Sequence, residues 1–184
     1  MSELPPFVGF PKIPRLKRHI FVTEKIDGTN AQVVVLEDGR VLAGSRNRWI
    51  TPERDNFGFA GWVKAHEEEL RTGLGIGQHF GEWWGPGIQR GYGIPAKRFS
   101  LFNATRWTDA VRPACCSVVP SMYVGPQSEE AVVECLRKLR EEGSLAAPGF
   151  MKPEGIVVYH SAGGHYYKVT LENDDQPKGV ACPE

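Results

Sequence analysis

Short runs of apolar and β-branched residues, separated by glycine, proline and polar clusters, recur along the chain. Runs of this kind are typical of strands. They predict strands at His19–Thr23, Ala31–Val35, Arg40–Gly44, Gln78–Gly85, Arg98–Asn103, Cys116–Val119, Pro153–His160 and His165–Thr170. Asp38-Gly39 separates two of these runs and predicts a hairpin turn.

Helical spacing occurs in two places. Between residues 57 and 70, Phe59, Trp62, Val63, His66 and Leu70 recur on one face and predict a helix with a buried stripe. A second helix is predicted from Ser128 to about Glu142, with acids in its first turn and bases in its last. The pattern as a whole predicts an α+β fold of mostly antiparallel sheets with flanking helices.

One polar segment lies between the first two predicted strands, and it reads Glu24-Lys25-Ile26-Asp27-Gly28-Thr29-Asn30. Residues two apart on an extended chain point to the same side, so Lys25 and Asp27 are predicted to face one pocket. Gly28 permits a turn that most residues resist. A deprotonated lysine in a pocket is an amine nucleophile. The alternative is a solvated surface pair.

Three further segments carry candidate chemistry. Ser45-Arg46-Asn47-Arg48 follows a strand and offers guanidinium donors to phosphate, or else forms a solvated turn. Glu82 lies in an aromatic strand, where an acid is costly unless it is paired or liganded, so it binds a ribose hydroxyl or an internal arginine. Phe102 is available to stack on a base or to pack in the core. The glycine-rich loop 86–93 is predicted to be mobile.

Composition narrows the picture further. The 184 residues include 22 Lys plus Arg and 22 Asp plus Glu, so net charge does not indicate a nucleic-acid partner. The sequence shows neither a signal-peptide pattern nor an apolar run of membrane-spanning length, and its four cysteines lack zinc spacing, so we expect a cytoplasmic protein without a membrane partner. We expect one domain over 1–184 whose first part, residues 1–16, is a proline-rich irregular arm draped over the body.

Six elements occur in a familiar order: Lys25-x-Asp27-Gly28, Ser45-Arg46, Gly81-Glu82, Phe102-Asn103, Glu154-Gly155 and Lys168. Together they resemble the motifs of the covalent nucleotidyltransferases, the superfamily of polynucleotide ligases and capping enzymes. The Lys25 segment and Gly81-Glu82-x-x-Gly85-Pro86-Gly87-Ile88-Gln89 are similar to the ATP-dependent RNA ligases of phage RNA repair. The resemblance covers about residues 7 to 175. It implies a nucleotidyltransferase (ATP-grasp-like) fold and a phage-encoded or bacterial protein.

The resemblance also implies a mechanism. Lys25 would attack the α-phosphorus of ATP and hold AMP as a phosphoramidate, with Asp27 and Lys168 completing the catalytic set. The AMP would pass to an RNA 5′-phosphate, which a 3′-hydroxyl would then attack. The nucleotide would be bound by eight residues: Glu24, Gly28, Asn30, Arg46, Glu82, Phe102, Glu154 and Lys168. Of these, Glu82 would bind ribose, Phe102 would stack on adenine, Lys168 would contact the α-phosphate, and Glu154 would bind a divalent metal, Mg or Mn.

Two departures from the family pattern keep alternatives open. The last motif usually has two alternating lysines, whereas here Lys168 is flanked by Tyr166 and Thr170. Ligases and capping enzymes usually carry a further nucleic-acid-binding domain, and we expect none appended here. The chain is therefore expected to self-adenylylate efficiently but to grip RNA weakly, with a protein partner supplying that grip. The alternatives are a DNA ligase, a capping-type transferase or a non-catalytic nucleotide-binding module.

The last two strands carry a prediction about register. Glu154 and Lys168 should both face the nucleotide, and a three-residue loop at 162–164 would achieve this by pairing Val158 with Lys168.

Overall fold

Two mostly antiparallel sheets and three helices make up the protein, in a computed structural model that describes residues 4–172 and residue 174. The strands run β1 His19–Lys25, β2 Thr29–Val35, β3 Val41–Ser45, β4 Trp49–Ile50, β5 Gly77–Trp84, β6 Arg98–Leu101, β7 Cys116–Val118, β8 Ser121–Pro126, β9 Gly155–His160 and β10 His165–Thr170. The helices are α1 Phe59–Ala65, α2 Glu67–Leu74 and α3 Glu129–Glu142. The predicted α+β class is confirmed.

The strands divide between the sheets so that the Lys25 segment joins them. The first sheet has the order β10-β9-β1-β8, and the second has the order β4-β3-β2-β5-β6-β7. All pairs are antiparallel except β6 with β7. Because β1 ends at Lys25 and β2 begins at Thr29, the connection between them crosses from one sheet to the other.

Each sheet buries one face beneath helices. Ile20, Val22 and Ile156 of the first sheet pack with Cys135 and Leu139 of α3. The second sheet packs against α1 and α2 in a larger cluster that contains, among others, Val33, Phe59, Leu70, Trp83 and Phe99. The other faces of the sheets are thereby left to line the space between them.

The predicted helix over 57–70 is two helices. The break lies at His66, which has φ −112° and ψ 18° and whose Nδ1 lies 2.8 Å from the Trp62 carbonyl oxygen. The predicted stripe is largely confirmed, because Phe59, Val63 and Leu70 are buried. Apolar spacing continued across the break because both helices pack on the same sheet.

Two other predictions need correction. The strand β8 was not predicted, because Pro120 comes directly before it and Gly125 and Pro126 form its end, and both residue types are typical of turns. The arm does not drape over the body. Over the described residues 4–16 it has no helix or strand, and its large apolar side chains are mostly exposed, namely Leu4, Phe7, Val8, Phe10, Ile13 and Leu16.

The register predicted for the last hairpin is wrong. His160 pairs with His165, so the loop has the four residues 161–164 and Lys168 pairs with Val157 instead of Val158. In a regular ladder this register would place Glu154 and Lys168 on opposite faces.

Among the described residues, no helix is both long enough and apolar enough to cross a membrane.

Candidate active site

A cavity of about 530 Å³ lies between the two sheets. Its first-sheet wall includes Thr23, Lys25, Val157 and Tyr166, and its second-sheet wall includes Asn30, Gln78, Phe80 and Glu82. Phe102, Asn103, Arg106, Trp107 and Val119 also line it. The volume and the mix of aromatic and charged walls suit a ligand the size of a nucleotide.

Lys25 is the last residue of β1, and its amine enters this cavity. Its Nζ donates a hydrogen bond to Glu154 Oε2 at 2.5 Å. The side chain of Lys25 is 22% exposed and that of Glu154 is 4% exposed. A short charge-assisted contact between groups so little solvated holds the amine in one place.

Gly155 explains how Glu154 reaches the amine. Glu154 continues the β9–β10 ladder, since its carbonyl accepts from the Leu171 N–H at 2.9 Å, and alternation would send its side chain towards α3 with Ile156. Gly155 has φ +153° instead, and a Cβ there would lie 2.1 Å from the Val169 carbonyl oxygen. The conformation open to glycine turns Glu154 out of the alternation and towards the Lys25 amine.

Glu82 projects from β5 into the same cavity. Its Oε1 accepts a hydrogen bond from the Gly28 N–H at 3.1 Å. Burial raises the pKa of the Glu82 carboxyl to about 7, because the charges of Lys25 and the Gly28 N–H only partly offset the loss of water, and the charges of Glu154 and Asp27 raise it further. A Cβ at Gly28 would lie 2.5 Å from the Trp83 carbonyl oxygen, so this close approach requires glycine.

Asp27 does not share the pocket of Lys25, and the prediction that it does is wrong. The strand ends at Lys25, so alternation stops there. The Asp27 carboxylate accepts from Arg90 Nε at 3.0 Å, and its backbone N–H donates to the Tyr92 hydroxyl at 2.8 Å. Arg90 also donates through Nη1 to the Lys152 carbonyl at 2.9 Å.

The loop that supplies Arg90 and Tyr92 was predicted to be mobile, yet it is packed. Ile88 and Tyr92 are almost fully buried, and the Ile88 N–H donates to the Gly85 carbonyl at 3.0 Å. Sequence reasoning assigned no role to Arg90 or Tyr92. Asp27 could have indicated this contact, because a partly buried acid requires a cation. Arg90 was a candidate, since it directly follows the motif that ends at Gln89.

Glu24, predicted to bind the nucleotide, lines the cavity but directs its carboxylate elsewhere. It accepts from Ser144 Oγ at 2.5 Å and from the N–H groups of Leu145 and Ala146 at 2.8 and 2.9 Å. Burial raises the pKa of the Glu24 carboxyl, and these three donors oppose that shift. The side chain fastens the segment after α3 to β1, which leaves the backbone of Glu24 to face the cavity.

Lys168 lies one row away from the nucleophile. Across β1, β9 and β10, Lys25 aligns with Gly155 and Thr170, and Thr23 aligns with Val157 and Lys168. Both rows belong to the cavity face, but Lys168 is exposed and is not among the residues that line the cavity. Thr170 therefore stands where a second lysine of the motif would be nearest to Lys25. The catalytic role of Lys168 stays a prediction.

Two predicted ligands lie on the cavity wall where a nucleotide would contact them. Asn30 of β2 pairs directly with Glu82 of β5. Phe102 follows β6, and its N–H donates to the Phe80 carbonyl at 3.0 Å. The Phe102 ring and Val157 contribute apolar surface to the cavity from different elements.

Arg46 is exposed and does not line the cavity. Its neighbour Arg48 donates to the carbonyls of Arg54 and Asp55 at 3.0 and 3.3 Å, which confirms the structural alternative for that arginine. A phosphate contact by Arg46 stays a prediction.

Carboxylates near Lys25 could contribute to a metal site. Glu82 lines the cavity and Glu154 contacts the Lys25 amine, but among the described residues there is no cluster of three His, Cys, Asp or Glu side chains able to hold a metal ion alone. Mg²⁺ is commonly bound by one or two carboxylates together with substrate phosphates. The donors present fit a metal that enters with a nucleotide.

Comparison with known proteins identifies the family of this chain and the fold that it shares. The RNA ligase family model matches residues 18–170. An archaeal ATP-dependent RNA ligase superposes with a TM-score of 0.61 at 19% identity, over 88% of this chain and 48% of that one. A mutant Naegleria gruberi RNA ligase with ATP and Mn superposes with a TM-score of 0.58 at 19% identity, over 84% of this chain and 50% of that one. Another mutant of that ligase, with AMP and Mn, superposes with a TM-score of 0.59 at 18% identity, over 91% of this chain and 57% of that one.

The chain thus spans about half the length of these structures. At such identities they show a shared fold, which confirms the predicted nucleotidyltransferase architecture. The family match spans β1 to β10 and so includes both cavity walls and Lys25. The chain belongs to the RNA ligase family.

Proposed function

We propose that this protein is an ATP-dependent RNA ligase that forms a lysyl-AMP intermediate on Lys25. The main support for this proposal is the amine of Lys25, which contacts Glu154 and lines a cavity of nucleotide size. Family membership supports the reaction class. The archaeal relative is an ATP-dependent RNA ligase, and the Naegleria gruberi structures contain ATP or AMP with Mn. These relatives support the choice of nucleotide and metal.

The chemistry has three balanced steps. The unprotonated Nζ of Lys25 attacks the α-phosphorus of ATP, a P–N bond forms, and the bond to pyrophosphate breaks. The 5′-phosphate of RNA then displaces Lys25 from the adenylate. A 3′-hydroxyl finally attacks that phosphate, loses its proton, and expels AMP.

The residues around Lys25 position these groups. Its Nζ must leave its contact with Glu154 before it attacks, and until then that contact holds the amine in place. Glu82 and Asn30 face a ribose from the opposite wall, and Phe102 and Val157 offer apolar faces to adenine. Phosphoryl transfer depends mostly on such positioning and on cancelling negative charge.

A divalent metal would be held by Glu154 together with phosphate oxygens. When bound, it would neutralise phosphate charge, which Lys168 on the adjacent row would also do.

Denaturation-resistant labelling with α-³²P-ATP and Mg²⁺ or Mn²⁺ tests the proposal. We expect one covalent AMP per chain on Lys25, and none in Lys25→Ala. Lys25→Arg should also fail, since a guanidinium stays protonated. Circular dichroism should show that both variants fold. Labelling that survives either substitution would disprove the assignment.

Substrates then separate the alternatives. A 5′-phosphorylated RNA strand with a 3′-hydroxyl partner should be sealed, and the equivalent DNA should not. Preference for DNA would indicate a DNA ligase, transfer of GMP to a diphosphate end would indicate a capping enzyme, and ATP binding without a covalent adduct would indicate a binding module.

A further inference from the structure

A row of three aromatic side chains crosses the first sheet at the edge of the cavity. Phe21 of β1 pairs with Tyr159 of β9, which pairs with Tyr166 of β10. Their ring centroids are 6.2 Å apart for Phe21 and Tyr159 and 4.7 Å apart for Tyr159 and Tyr166. We name these three residues the aromatic row.

The aromatic row is continuous with the proposed active site. Successive same-face rows on these strands are Lys25–Gly155–Thr170, then Thr23–Val157–Lys168, then the aromatic row. Side chains two residues apart share a face and lie about 7 Å apart along a strand. The aromatic row therefore begins about 13 Å from the Lys25 position, with Lys168 in between.

The three rings lie outside the buried core of this sheet, with Tyr166 exposed and Phe21 and Tyr159 half-buried. The buried face of this sheet is the opposite one, where Ile20, Val22 and Ile156 pack on α3. Tyr166 borders the cavity yet is 67% exposed, so most of its ring faces outward. An adenine enclosed between Phe102 and Val157 would leave that outward ring surface uncovered.

We propose that the aromatic row stacks on bases of the RNA strand whose end enters the cavity. This inference rests on the proposed function. Exposed aromatic rings on a sheet offer flat faces to unpaired bases, and a neighbouring cation contacts the backbone between them. Lys168 supplies that cation on the same face and on the same strand as Tyr166. Because every base has a stackable face, the row recognises single-stranded ends without regard to sequence.

The strand β10 supplies a matched control. Tyr167 neighbours Tyr166 and is 56% exposed, but it pairs with Val158 and points to the opposite face of the sheet. Removing either ring deletes a similar exposed tyrosine from the same strand. Only the loss of Tyr166 should affect RNA.

The experiment is fluorescence anisotropy with a short single-stranded RNA that carries a 5′-phosphate and a 3′ dye, in the absence of ATP. Tyr166→Ala should weaken binding about 10-fold, within the range for loss of one stacked base. Tyr166→Phe should retain binding, and Tyr167→Ala should match the wild type. Phe21→Leu, which keeps apolar bulk but loses the ring, should weaken binding less than Tyr166→Ala.

Salt dependence separates stacking from charge. The loss in Tyr166→Ala should be the same at low and high salt, whereas Lys168→Ala should lower the slope of log affinity against log salt by about 1. Equal losses in Tyr166→Ala and Tyr167→Ala, or no loss in either, would overturn the proposal.

A separate readout distinguishes this proposal from the proposed function. Lysyl-AMP formation is measured without RNA in each variant. If the wild type forms no adduct, the proposed function fails. If the adduct forms and Tyr166→Ala changes only the KM for ATP while RNA affinity stays unchanged, the aromatic row contacts the nucleotide and the RNA proposal fails alone.

Discussion

Two ion pairs flank the same short segment, and they differ in almost every property that matters. Lys25, which lines the cavity, contacts Glu154 at 2.5 Å, whereas Asp27 contacts Arg90 at 3.0 Å and neither of these two lines the cavity. The acid of the first pair is 4% exposed and that of the second 15%. Two residues of sequence separate a pair that faces the nucleotide cavity from one that fastens a loop.

The identity of the cation explains the difference. Arginine stays protonated in proteins, so the Asp27–Arg90 pair is permanent as long as the fold lasts. Lysine can lose its proton, so the pair it forms with Glu154 can be dissolved when chemistry begins. The fixed Asp27–Arg90 pair positions the backbone that directly follows Lys25, whose own pair with Glu154 can separate.

The largest effect is expected from breaking the catalytic pair on its acid side. Glu154→Gln keeps the shape and can still accept from Lys25, but it removes the charge that would face metal and phosphate. We expect lysyl-AMP formation to slow by about 10³-fold, within the range for losing one preorganised electrostatic contact. Single-turnover labelling measures this, and an unchanged rate across metal concentrations would contradict it.

Glu82 sharpens the comparison, because it accepts from the neutral Gly28 N–H instead of forming an ion pair. Its folded-state pKa of about 7 lies above the ordinary glutamate value of 4.5, so the native state binds more protons between these values and stability falls as pH rises through them. We expect this group to cost about 3 kcal/mol above pH 7, and Glu82→Gln to abolish that loss.

Chemical denaturation of the ligand-free protein from pH 5 to pH 8 tests the Glu82 prediction. The free energy of unfolding should fall with pH more steeply in the wild type than in Glu82→Gln. Parallel curves would show that the carboxyl is ionised throughout.

The fixed pair is expected to give a smaller effect. Arg90→Met leaves the Asp27 carboxylate without its arginine and should reduce stability by about 2 kcal/mol. Below the melting temperature it should also lower kcat for adenylylation, because the backbone after Lys25 loses its anchor, with little change in the KM for ATP. Arg90→Lys should be intermediate, since an ammonium does not reach both Asp27 and the Lys152 carbonyl with a rigid fork.

The smallest effect should come from a surface pair. Arg137 contacts Glu134 at 2.7 Å and also Glu141 on α3, with all three side chains about half exposed. Exposed pairs contribute little, so Arg137→Ala should leave the free energy of unfolding nearly unchanged and should not affect lysyl-AMP formation. A loss comparable to that of Arg90→Met would erase the distinction between the two kinds of pair.

Periodicity predicted the elements of this fold well where one face is buried, as in β1, β2 and α3. Periodicity failed at His66, where one predicted helix is two, because the apolar spacing continues across the break. It also failed at β8, where proline and glycine residues hide the strand. Of the residues that motif order grouped together, Lys25, Glu82 and Phe102 line one cavity and Glu154 contacts the Lys25 amine, while their roles stay predictions. The contact between Asp27 and Arg90 was missed because it joins residues 63 apart, and alternation says nothing once a strand has ended.

Gly155 also separates two kinds of change that the chain could accept. The direction of Glu154 depends on a backbone torsion, whereas the direction of Tyr166 and Lys168 depends on the length of the loop 161–164. Loss of one loop residue would move both β10 side chains to the α3 side and leave Glu154 beside Lys25. A change in the length of that hairpin would therefore alter the surface that β10 presents near the cavity. The contact between Lys25 and Glu154 would be kept, so β10 can change independently of that contact.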